Sequence, residues 1–202
     1  MRSNVLFSAA LASAVSVVLS AHANADNEKF RATLSGFEEV GGFPKLNPGP
    51  NGGEPETLTG PTGAILSPGN GTLELSLDKN LQTISYKLTY TPMSSTVLQA
   101  HIHFGKRHVP GGIIVFFCTN SGNGPPTTPP TPLCPAAPAT VTGTWTPASV
   151  LAVPTQNITT AGNFNALIAA LESDTAYGNI HTANFPSGEI RGQIRHPDDD
   201  KH

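Results

Sequence analysis

The sequence predicts an all-β protein of antiparallel strands with one short helix near its C-terminal hairpin. Three observations carry this. Leu73, Leu75 and Leu77 alternate onto one side of an extended chain, and after a turn at Asp78-Lys79-Asn80 so do Ile84, Tyr86, Leu88 and Tyr90. Such an antiparallel pair has one buried face and one solvated face. The 202 residues include 19 Pro and 20 Gly but only 12% charged residues, which suits strands joined by many turns. Convincing helical spacing occurs once beyond the N-terminal segment: Phe164, Leu167, Ile168 and Leu171 fall at i, i+3, i+4 and i+7, with Asn163 as N-cap.

The N-terminus reads as an export signal covering residues 1–25. Arg2 supplies a positive charge, Val5 to Leu19 is almost wholly apolar and small, and Ala23-Asn24-Ala25 is a small-x-small cleavage pattern. The apolar run is short for a membrane span and no second one follows, so an uncleaved anchor is the weaker reading. The expectation is a protein exported to the periplasm or the extracellular space, with no membrane span in the mature chain. Of the 11 basic residues only Arg2 lies in the signal, which leaves 10 against 14 acidic ones and no basic cluster. This argues against nucleic acid and anionic membrane surfaces as partners.

From residue 26 to 196 the chain is expected to be one domain. Phe30 to Phe37 is a first strand. A Gly/Pro-rich loop runs from Glu38 to about Thr59, long enough to be functional or mobile. Thr62 to Ser67 reads as a short strand before a Pro-Gly-Asn-Gly turn cluster at 68–71. The Leu and Ile/Tyr pair comes next, then Gln99 to Gly105, then a loop holding His108. Ile113 to Cys118 is continuously apolar, a strand buried on both faces or covered by a loop. Val141 to Trp145 is a further strand ended by Pro147, with Trp145 read as core.

Cys118 and Cys134 are the only cysteines, and in an exported chain a disulfide is expected. A thiolate metal site is the poorer alternative, because short ligand spacing is lacking. The residues between them include five prolines and can be neither helix nor central strand. The bridge would pin a stiff surface loop, contributing about 3 kcal/mol through loop closure.

The last strands form a hairpin around Asn184-Phe185-Pro186-Ser187. Pairing Ile180 with Ile190, Gly178 with Gly192 and Ala176 with Ile194 gives one apolar face. The other face then carries His181 opposite Glu189, Asn179 opposite Arg191 and Tyr177 opposite Gln193. Residues 197–202 read as a disordered tail.

The chemistry concentrates in Gln99-Ala100-His101-Ile102-His103-Phe104. His101 and His103 are two apart on a strand, so both rings share its polar face, their Cα atoms about 6–7 Å apart. They read as two ligands of one metal, or as two solvated histidines. His181 lies on the polar face of another strand and would supply a third ligand. His108 is a candidate extra ligand or a plain surface residue. Glu189 and Arg191 are either a surface ladder or a layer that orients His181.

Ala-His-Ile-His-Phe-Gly, Gly-Gly-Ile-Ile-Val-Phe-Phe-Cys, then a helix, then Gly-Asn-Ile-His-Thr-Ala-Asn-Phe-Pro-Ser-Gly-Glu-Ile-Arg-Gly-Gln-Ile together resemble the CHRD domain. That domain is named for chordin, an extracellular antagonist of bone morphogenetic proteins, and occurs in many exported bacterial proteins. The opening Ala-Thr-Leu-Ser-Gly-Phe-Glu-Glu-Val is similar to the start of that domain. The resemblance spans about residues 29–196, with 119–139 standing out as a Pro-rich insertion. It implies an immunoglobulin-like β-sandwich or a Greek-key barrel. Its motif positions include His101, His103 and His181, which strengthens the metal reading. A His-x-His strand is also similar to one on the barrel of copper-zinc superoxide dismutase. Chordin's growth-factor binding is a fold-level analogy and does not carry across.

The expected cofactor is therefore a copper or zinc ion on His101, His103 and His181. The alternative is a non-catalytic adhesion module binding an unknown extracellular protein. A blue-copper centre lacks its free Cys, and Met93 is the sole methionine beyond Met1. No Gly-x-Ser-x-Gly is present for a serine hydrolase, and the carboxylates a glycosidase would need are scattered or in the tail. No motif assigns a catalytic residue.

Overall fold

Alternating runs become eight strands. The computed structural model describes residues 27–40 and 63–197. The signal segment, most of the long Gly/Pro loop and the end of the tail lie outside the described residues. The strands are β1 (Glu28–Ser35), β2 (Asn70–Asp78), β3 (Thr83–Tyr90), β4 (Val97–Phe104), β5 (Gly112–Thr119), β6 (Ala139–Trp145), β7 (Ala176–Thr182) and β8 (Ile190–Gln193). One helix, α1 (Phe164–Glu172), precedes β7, and Asn163 caps it by accepting from the Ala166 N–H at 3.1 Å.

All eight strands join one sheet in the order β5-β4-β7-β8-β1-β2-β3-β6, antiparallel throughout. Of the sandwich and the barrel, the pairing fits a nearly closed barrel. The end strands β5 and β6 approach each other, and side chains bridge the gap where ladder bonds are lacking. Trp145 Nε1 donates to the Phe116 carbonyl at 2.8 Å, and the Tyr86 hydroxyl donates to that of Phe117 at 3.1 Å. The Leu151 N–H donates to the Ile114 carbonyl, so β5 does not present a bare edge.

The interior is the face the alternation predicts: Leu34, Leu73, Leu77, Ile84, Leu88, Ile102 and Ile190 are all buried, and α1 adds Leu167 and Leu171. Gly192 lets β8 lie against β1, since a Cβ there would run into the Thr33 carbonyl. The final hairpin takes the expected register, with Ile180 opposite Ile190 and Asn179 opposite Arg191. It slips just beyond, where the Glu189 N–H bonds to the Ile180 carbonyl at 2.8 Å.

One local expectation changes. Gly63 to Ser67 is not a strand; Ile65 makes one bond to the Gly36 carbonyl and Pro68 stops any ladder from continuing. His196, the last residue of the expected domain, packs its ring on Phe30 at 4.4 Å. The Pro-rich segment after β5 has no regular structure, and Cys118 and Cys134 are disulfide-bonded across it.

Candidate metal centre

Strand alternation puts His101 and His103 of β4 on the outer face, with Ala100 and Ile102 in the core. The β4–β7 register sets Tyr177, Asn179 and His181 beside them, opposite His103, His101 and Gln99 respectively. Two register shifts in the β4–β5 ladder flank His101-Ile102 and re-aim this stretch. The three imidazoles converge. Their ring centroids are 4.5 Å apart for His101–His103 and for His101–His181, and 6.2 Å for His103–His181. One ligand nitrogen from each lies within 4.8 Å of the others.

The outer face here is not solvated, which overturns the reading of His101 and His103 as two solvated histidines. His101 is 0% exposed, His181 6% and His103 9%. Tyr177 stacks on His103 at 4.7 Å with planes 11° apart, and Phe116 meets His101 edge-on at 5.2 Å. Substituting His103 therefore removes packing as well as a ligand.

Each outer ring is held by its rear nitrogen. His103 Nδ1 bonds the Gly111 carbonyl at 2.7 Å, and His181 Nδ1 bonds the Pro186 carbonyl at 2.9 Å. A carbonyl only accepts, so Nδ1 carries the proton in both rings and Nε2 presents a lone pair. Neither Nε2 has a protein partner, and His101 has none at either nitrogen. Gly111 reaches this position because it has no side chain; a Cβ would collide with the Phe104 carbonyl. Burial pushes all three histidines below their ordinary pKa, His101 far below and His103 to about 4. The three rings are therefore neutral near pH 7, the form that binds metal.

The other candidates stand elsewhere. His108 sits on the exposed loop after β4, 3.3 Å from Glu38, outside the cluster. Glu189 does not accept from His181. Its carboxylate instead takes bonds from Ser67 Oγ at 2.6 Å, the Ser94 N–H at 2.9 Å, Ser94 Oγ at 2.7 Å and Thr182 Oγ1. The register slip at Ile180 turns Glu189 toward these loops. Those donors outweigh burial and hold its pKa below the ordinary value. Arg191 is buried, not part of a surface ladder. Its guanidinium lies 3.4 Å above the Tyr177 ring and donates to the Lys106 and Val109 carbonyls.

Sequence reasoning missed the two carbonyls that aim the rings, and it missed Glu39. This buried carboxylate accepts from Asn179 Nδ2 at 2.6 Å. Tyr177 and Asn179 were recoverable, since the hairpin register already placed them on the face of His181. Glu39 follows β1 in a loop and carries no local signal.

A family model for the CHRD domain matches residues 30–194. The chain belongs to the CHRD domain family. The match runs from Phe30 within β1 to just past β8 and includes all three clustered histidines of this CHRD protein. Comparisons with curated proteins and with solved structures give no match. Among the described residues, no helix is long and apolar enough to cross a membrane.

Proposed function

We propose that this CHRD protein is an exported single-domain metal-binding protein that holds one copper or zinc ion on His101, His103 and His181. The observation that carries this is the set of buried, unpartnered ring nitrogens facing one another. An unsatisfied buried polar atom costs about 1–3 kcal/mol. A module that only bound another protein would gain nothing from four such atoms in one place. A metal ion converts that cost into coordination for three of the four, one nitrogen from each ring, and the carbonyls behind His103 and His181 are the supports that metal-bound imidazoles use. Three neutral nitrogens leave a fourth position open for water or an exogenous ligand. Export is supported by the N-terminal apolar run with its Ala-x-Ala end and by the disulfide.

The test is metal stoichiometry by equilibrium dialysis and elemental analysis, for the wild type and for His103→Asn and His181→Asn. Asparagine keeps an N–H near the Nδ1 position and deletes Nε2, so the carbonyl bond survives while the ligand is lost. The expected result is about one ion per wild-type chain, with at least tenfold weaker binding by each variant at unchanged circular dichroism. Equal binding by wild type and both variants would refute the assignment.

A further inference from the structure

The sequence has no run of basic residues, yet folding brings three arginines to one cleft. Arg31 of β1 and Arg195, two residues past β8, face each other across an isolated antiparallel bridge. Both backbone bonds of that bridge are made, at 2.8 and 3.0 Å. The two side chains therefore stand on the same face, with their Cα atoms about 5.5 Å apart. Arg107 comes from the loop between β4 and β5. With Thr33, Glu38 and Gln193 these arginines line an open cleft of about 540 Å³.

The charges around the cleft do not cancel. Glu38 is the one carboxylate among the lining residues, and Arg107 holds it through Nε at 3.0 Å and Nη2 at 2.6 Å. That bond keeps the Glu38 pKa below its ordinary value, so the carboxylate is ionised and engaged. Glu74, opposite Arg31 on β2, pairs with Lys87 at 3.4 Å. Arg31 Nη2 donates to the Pro197 carbonyl at 3.0 Å, which fixes its guanidinium beside the cleft. Among the described residues, the Arg195 guanidinium has no hydrogen-bond or ion-pair partner. Like charges directly across a ladder repel, and an anion between them turns that repulsion into attraction for both.

We propose that this cleft binds a small phosphate monoester, with the phosphate held between Arg31 and Arg195. Arginine forks match phosphate oxygens in geometry and charge. Two guanidiniums on facing residues converge on one group with three terminal oxygens better than on two separate carboxylates. The cleft falls in the size range of small-molecule sites and exceeds what a bare phosphate fills, which leaves room for an organic part. Thr33 and Glu38 supply hydrogen-bonding groups for its hydroxyls. The cleft shares no residue with the histidine cluster, so this inference stands apart from the metal reading.

The experiment is calorimetric titration of the full chain with glycerol 3-phosphate in dilute buffer, with glycerol as the control. Wild type should bind the ester and not glycerol. Arg195→Gln should bind at least about tenfold more weakly, the loss expected for a charge-assisted bond. Arg195→Lys keeps the charge without the fork and should fall between the two. Lys87→Gln, on the same sheet face but outside the cleft, should stay within about twofold of wild type. Equal binding by wild type and Arg195→Gln, or equal binding of glycerol and its phosphate, overturns the assignment. Asp198, Asp199 and Asp200 follow Pro197 in the sequence, so a variant with all three changed to Asn is titrated in parallel. If that variant binds the ester and wild type does not, the chain's own acidic segment is the occupant and the external ligand is overturned; if neither binds, the site is overturned outright. Metal-free Arg195→Gln should be no less stable to urea than wild type, because a like-charge neighbour is removed. Should it not fold, Arg195→Lys decides, and binding by it as tight as wild type overturns the fork.

Discussion

Two halves of one barrel follow different rules. In the β1-β2-β3 half, burial alternates residue by residue, and the outward side chains Arg31, Glu74 and Lys87 face water. In the β4-β7-β8 half, both faces are closed: every residue of β7 is buried, and so are Ile190, Arg191 and Gly192 of β8. The sequence pattern is the same in both halves, apolar alternating with polar. What differs is the covering. The loop after β4 reaches over Arg191 and His103, and the hairpin turn at Pro186 reaches over His181. A polar residue on a strand's outer face is ordinary; a polar residue there that is also buried needs a partner or a purpose. The two halves separate strands that close only an inner face from strands that also build the histidine site.

The largest expected contrast is with pH. The solvated half places no buried titratable side chain on its outer face, whereas the covered half buries three histidines. Burial lowers the His103 pKa from 6.5 unfolded to about 4 folded, and His101 and His181 move the same way. Between those values the unfolded chain binds more protons than the folded one. This stabilisation is therefore complete above pH 6.5 and is lost as pH falls toward 4, with about 3 kcal/mol at stake for His103 alone. Urea unfolding of metal-free protein at pH 7.5 and near pH 4.5 should show most of that loss. A flat profile over this range would mean that the rings are hydrated and the covering is open.

A smaller contrast lies in two glutamates. Glu189→Ala strands the donors of Ser67, Ser94 and Thr182 and should cost about 2–3 kcal/mol. Glu74→Ala breaks only a 3.4 Å pair with Lys87, both side chains more than half exposed, and should cost under about 0.5 kcal/mol. Both values come from denaturant midpoints, and equal costs would erase the distinction between the halves.

Much of the barrel was legible because period-two alternation records which face meets the core. The leucines of β2 and the Ile180–Ile190 register are examples. The convergence of His101, His103 and His181 could be anticipated from spacing, register and family motif. Their burial could not, because alternation says which residues share a face and nothing about what later covers it. The Gly111 and Pro186 carbonyls were invisible because backbone acceptors carry no sequence label. Glu189 stands opposite His181 on paper, yet one slipped residue at the hairpin's end sends its carboxylate to a different set of donors.

The most direct test of the shared site is X-ray absorption on protein loaded with one equivalent of copper or zinc. The account predicts about three nitrogen scatterers near 2.0–2.1 Å with the outer-shell scattering of imidazole rings, reduced by one ring in His181→Asn. A shell made mainly of oxygen, or one that His181→Asn leaves unchanged, would contradict it.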